Sequence, residues 1–290
     1  MKQTSFFFYL FLISIFTLPL TSCVNSIHEP EDPADKPQLT TVTFGLFTED
    51  IIPLTRAEND VDLKYLYVFD ESNGTTEKVL TRTKENPEDN PLSDLSIQLS
   101  TGNHTIYFVA TTRAYESFDK QTKSLTWGAN LGIVWAQSIN MTVSSSQNEK
   151  KNVSLPLRVA GIRIVMEDAI PSNMSYMVQN VTAYSKTFNL STMSGQNPAP
   201  YSRRAAMPTS LLGQRNIKLD LYTFVPPVGS VGDMTATAYD AGDVAIASKS
   251  FTNVTVTSGH FHQYSGNFFS NNQSIGMEIE TSWIYNDERY

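Results

Sequence analysis

The sequence predicts an all-β protein made of two antiparallel β-sandwich domains in series. Three observations predict it. Apolar and polar residues alternate with period two in one segment after another. No stretch keeps helical periodicity over three turns. Thr, Ser, Asn, Val and Tyr are abundant, while long runs of Ala, Leu, Glu and Lys are missing, a mixture that favours strands.

The chain opens with a different pattern. Lys2 precedes an apolar stretch from Phe6 to Leu20, too short for a comfortable membrane span and suited to the h-region of a secretory signal. It ends in Leu20-Thr21-Ser22-Cys23, which resembles the lipobox of bacterial lipoproteins. That resemblance implies acylation of the Cys23 thiol, removal of residues 1–22, and Cys23 as the mature N-terminus. The alternative is an ordinary signal peptide with an incidental cysteine. Two or more acyl chains anchor stably where one is marginal. Residues 23–40 carry Glu29, Pro30, Glu31, Asp32, Pro33, Asp35 and Pro37 with few apolar residues, and read as a spacer between lipid and domain. Val24, not Asp, follows the cysteine, which leans toward the outer membrane.

Strand signals begin at Thr41, where Val42, Phe44 and Leu46 alternate with Thr41, Thr43 and Gly45. Leu63–Phe69 is apolar on both faces, as in a central strand, and Asn73-Gly74 after it is a hairpin turn signal. Leu95, Ile97 and Leu99 alternate, Thr101-Gly102-Asn103 turns the chain, and Ile106, Phe108 and Ala110 alternate back, which reads as a hairpin. Trp127, Ile133 and Trp135 fall in a blurred stretch, a short helix or an irregular loop. Val153–Met166 reads as two strands broken at Pro156, with Ala160, Ile162, Ile164 and Met166 on one face. Further strands are expected at Met177–Tyr184, Ile217–Phe224, Met234–Tyr239, Val244–Ser248 and Phe251–Val256, with a turn at Asp240–Asp243 and a last alternation from Met277 to Trp283. The division falls near Pro156, giving domains at 41–156 and 157–290.

The formal charge of -8 argues against nucleic acid and against electrostatic binding to anionic lipid. With Cys23 the only cysteine, disulfides cannot supply stability, so the β-cores must. No phosphate loop, nucleophile elbow or HExxH motif occurs, so neither catalytic residues nor a cofactor is expected. His260 and His262 read as same-face residues of one strand without a third ligand, hence as surface residues and not a metal site. The aromatics invite a sugar-stacking reading, but Tyr65, Tyr67, Tyr107 and Trp283 lie inside expected strands, where aromatics fill cores.

Several pieces, in their order, resemble Bacteroidales fimbrial proteins of the FimB-type anchor and minor-subunit group, within the fimbrillin superfamily. They are the lipobox with its acidic spacer, Val42–Phe47, Leu54-Thr55-Arg56-Ala57, Leu95–Ala110, Leu155-Pro156-Leu157-Arg158-Val159-Ala160, and Tyr264-Ser265-Gly266-Asn267-Phe268-Phe269 before the final strand. The resemblance implies transthyretin-like sandwiches, outer-membrane lipidation and contact with other fimbrial subunits. It also implies a processing site at Arg56–Ala57, where an Arg-specific protease would remove the first strand; the alternative is an exposed loop arginine without a role. Cleavage there would sever the lipid, so anchoring and processing compete. A surface glycan-binding lipoprotein is the other function class left open, and a lipoprotein hydrolase a weaker third.

Overall fold

Period-two alternation becomes strand at most positions where the sequence carries it. The computed structural model describes residues 39–48, 63–89, 91–145, 150–270 and 276–280. Among these, two short 3-10 turns, Pro87–Asp89 and Thr209–Leu211, are the only helical pieces.

The first half contains β1 (Leu39–Thr48), β2 (Tyr65–Ser72), β3 (Thr75–Thr83), β4 (Asp94–Ser100), β5 (Gly102–Thr111), β6 (Ser117–Asp119), β7 (Ser124–Thr126), β8 (Val134–Val143) and β9 (Lys150–Leu155). The second holds β10 (Val159–Met166), β11 (Met174–Tyr184), β12 (Thr187–Asn189), β13 (Ser194–Gln196), β14 (Ala199–Ala206), β15 (Ile217–Phe224), β16 (Met234–Asp240), β17 (Ala245–Phe251), β18 (Phe261–Gly266) and β19 (Gly276–Glu280).

Each half is a sandwich, and the two halves repeat one topology. Sheet β4-β1-β9 packs on β3-β2-β5-β8; sheet β15-β10-β18 packs on β14-β11-β16-β17 and is extended by β19. In both, the first strand lies between an antiparallel neighbour (β4 or β15) and a parallel one (β9 or β18). The remaining ladders are antiparallel. One buried cluster runs from Val42 to Val159 and a second from Ala160 to Phe268, changing over inside β10. Phe188, Leu190 and Phe224 come from the second half but join the first cluster.

The reason lies in a fifth sheet, β13-β12-β7-β6, assembled from one short hairpin of each half and joined by Leu125 opposite Phe188. It lies alongside an aromatic series: Phe69 meets Phe118 at 4.7 Å, Tyr67 meets Tyr115 at 4.6 Å, and Trp127 meets Phe224 at 5.1 Å. Sheet β3-β2-β5-β8 is thus covered on both faces, which explains why Tyr65–Phe69 is apolar on both faces of the strand.

Three expectations need correction. Leu95–Ala110 is not a hairpin: β4 pairs with β1, and β5 with β2 and β8, so the chain crosses between layers at Gly102. Gly102 has φ +135°, a conformation that disfavours side chains. Trp127 and Ile133 lie in the irregular stretch between β7 and β8, one of the two alternatives, whereas Trp135 lies in β8. Phe251–Val256 is no strand beyond Phe251: Val254 and Val256 are buried through loop hydrogen bonds to Val231, Gly232 and Gly229. Asn73-Gly74 does form the β2–β3 hairpin turn, with φ of 51° and 77°, as a type I′ turn requires.

Candidate functional site

The element with the chemistry of a contact site is β1. Its alternation sends Val42, Phe44 and Leu46 inward, all essentially fully buried, against Leu95, Ile97 and Leu99 of β4 and Val153 and Leu155 of β9. The Phe44 ring meets Phe108 of the opposite sheet edge-on, 5.0 Å between centroids. On the outer face, Thr43 pairs with Ser96 across the ladder, their hydroxyls 3.2 Å apart. Lys150 of β9 reaches over Gly45 to Asp94 of β4, with Nζ to Oδ1 at 2.7 Å. A side chain at Gly45 would place its Cβ 2.7 Å from Asn152 Oδ1 and 2.9 Å from Lys150 Cε.

This arrangement makes β1 a wedge. Its main chain satisfies the inner edges of both β4 and β9, which would otherwise present rows of unpaired N–H and C=O groups. Burying three such side chains contributes roughly 5–9 kcal/mol before ordering costs. The counterpart strand, β10, cannot leave in the same way, because only Pro156-Leu157-Arg158 joins it to β9.

The other sequence candidates are placed as follows. Cys23, Arg56, Ala57 and Trp283 lie outside the described residues. His260 precedes β18, whereas His262 lies within it and is buried, so the surface reading of that pair is wrong for His262. His262 Nε2 accepts the Thr257 N–H at 2.9 Å, and its Nδ1 has no hydrogen-bond partner. Burial, and then His260, hold its pKa below the ordinary value. The alternation of Phe261–Gly266 in the sequence could have shown His262 sharing the Tyr264 face.

His104, at the start of β5, is buried. Its Nδ1 is 2.8 Å from Asp70 Oδ1 and its Nε2 2.9 Å from the Ser100 carbonyl. Tyr67 and Tyr107 are buried and Tyr65 half-buried, as expected of core aromatics. Burial, then a hydrogen bond to Glu71, push Tyr107 up to about 12. Although burial pushes Glu71 up, its bonds to Lys123 and Tyr107, each 2.5 Å, hold its carboxyl below the usual range. Beside this trio lies a polar depression of about 470 Å³ lined by Asn103, His104, Thr105, Asn140 and Thr142, without a Phe, Tyr or Trp ring. Among the described residues no group of three or more His, Cys, Asp and Glu is placed to hold a metal ion.

Fold and site together define a tandem β-sandwich protein whose first strand fills a slot between two others. No protein-family model matches the chain, and no curated protein matches it. Among solved structures, it is similar to a protein of Bacteroides ovatus described as an adhesin, over 81% of this chain and 88% of that one, at 10% identity and TM-score 0.51. That likeness shows the fold. The fimbrial anchor protein Mfa2 of Porphyromonas gingivalis aligns over 84% of this chain and 97% of its own, at 11% identity and TM-score 0.48. The C-terminally truncated tip fimbrial protein Mfa3 of the same organism aligns over 84% and 100%, at 12% identity and TM-score 0.48.

Proposed function

We propose that this chain is a fimbrial anchor, base or minor structural subunit, tethered to the outer membrane through lipid on Cys23 and joined to other fimbrial subunits by β-strand pairing. The observation that carries the reading is the placement of β1. It is a full-length interior strand, it wedges two others apart, and one break in residues 49–62, which contain Arg56–Ala57, separates it from the rest of the sandwich. In a chain cut there, which loses its link to the lipid, the vacated slot offers main-chain pairing on two sides and apolar pockets between, the ingredients of β-augmentation; in an uncut chain β1 stays in place and the tether holds. The lipobox and spacer support the tether, and the order of sequence pieces supports the fimbrial assignment. No catalysis and no cofactor belong to this role.

Mass spectrometry of the native N-terminus separates the two fates, lipidated Cys23 or a chain starting at Ala57. Deleting the gene should change fimbria length, retention or tip composition while growth on polysaccharides stays normal. Unchanged fimbriae together with loss of glycan binding would replace this reading with that of a surface glycan-binding lipoprotein.

A further inference from the structure

We propose that the β1 slot selects its occupant by an aromatic side chain at the Phe44 position followed by a residue without a side chain at the Gly45 position. The partner segment is therefore an extended peptide of the form aliphatic-x-aromatic-Gly-aliphatic, running antiparallel to β4 and parallel to β9. The inference rests on the reading that a partner's strand can take the place of β1.

The inner pockets are unequal. Going along β1 they hold Val42, Phe44 and Leu46, and only the middle one is built for a ring, with Phe108 presented edge-on across the core. A slip of two residues keeps the same face inward but sets Val42 or Leu46 where Phe44 belongs. Interiors are packed too densely to absorb that loss, so a void remains. The outer face adds a second gauge in the same register. Asn152 and Lys150 close over Gly45, and Lys150 is tied to Asp94 on the far side of the strand. A two-residue slip sets Thr43 or Phe47 beneath that tie and lifts it. The tie is half exposed, so its effect is small beside that of the ring pocket. Inner and outer faces thus specify adjacent positions, and together they fix which residue of an incoming strand lies where.

The test uses the full chain carrying a site-specific protease sequence within residues 49–62, cut so that β1 stays in place without a covalent link. Labelled peptides matching residues 39–48 then compete for the slot. The native peptide should exchange in, and a peptide with Phe44→Ala should bind at least ~100-fold more weakly. A Gly45→Val peptide should bind several-fold more weakly, and that difference should vanish on a chain bearing Lys150→Ala and Asn152→Ala. If the Phe44→Ala peptide binds within about 3-fold of the native one, the selection rule is wrong while strand replacement stands. If the cut chain stays folded and no peptide exchanges, native sequence included, strand replacement fails as well.

Discussion

Replacing Gln179 by Leu should stabilise the protein, an unusual sign for a core substitution. Gln179 lies in the middle of β11 and points inward between Met177 and Val181, fully buried. Its Nε2 and Oε1 both lack a hydrogen-bond partner. The neighbours that pair with it in the ladder, Arg203 and Ala236, meet its backbone and not its amide. A buried polar group without a partner costs about 1–3 kcal/mol. Leu keeps most of the volume and has no polar atom to satisfy, so Gln179→Leu should gain about 2 kcal/mol. For a chain of this size that corresponds to a rise in Tm of roughly 3–4 °C. Urea unfolding followed by far-UV circular dichroism measures the first quantity and a thermal scan the second. A variant with unchanged or lowered midpoints would refute the reasoning, because it would mean that the amide is hydrogen-bonded in the folded protein.

Trp127→Ala should cost about 3–5 kcal/mol in urea unfolding, since the ring is fully buried between Tyr115 and Phe224, and a loss below about 1 kcal/mol would contradict its place in the core. His104→Ala takes the imidazole away from both the Asp70 carboxylate and the Ser100 carbonyl and leaves Asp70 buried without that partner; a loss of about 3 kcal/mol is expected, and a near-neutral result would show that Asp70 is satisfied elsewhere. His262 has a folded-state pKa below its ordinary 6.5, so as pH falls the unfolded chain takes up this proton first. Its contribution is complete above pH 6.5 and is lost as pH drops toward the lower folded value. His262→Gln, which keeps an acceptor for Thr257, should flatten the stability decline between neutral and mildly acidic pH; an unaltered slope would exclude His262 as its source.

Much of the fold is legible in the residues, and the failures share a cause. Ile217–Phe224 is read to the residue, and Asn73-Gly74 announces its turn, because local sequence dictates local geometry there. Leu95–Ala110 misleads because alternation reports which face of a strand is buried, never which strand lies beside it. A crossing between layers and a hairpin therefore share one signature. The strands β6, β7, β12 and β13 are three residues each, too short for any period to register, yet they build the sheet shared by the two halves. Of the candidate site, the alternation of Val42, Phe44 and Leu46 is plain in the sequence. That β1 is central, and that Lys150 closes over Gly45, depends on contacts more than a hundred residues away along the chain.

The sheet shared by the two halves has a mechanical consequence. Two sandwiches joined only by Pro156-Leu157-Arg158 would pivot about a three-residue cord, and tension would fall on that cord alone. Here Leu125 pairs with Phe188, Trp127 takes a backbone bond from its N–H to Lys186, and Phe224 inserts its ring beside Trp127. Load passing between the halves is divided among peptide bonds, a β-ladder and an aromatic contact. A pull on one half therefore reaches the other through all three links and not through the cord alone.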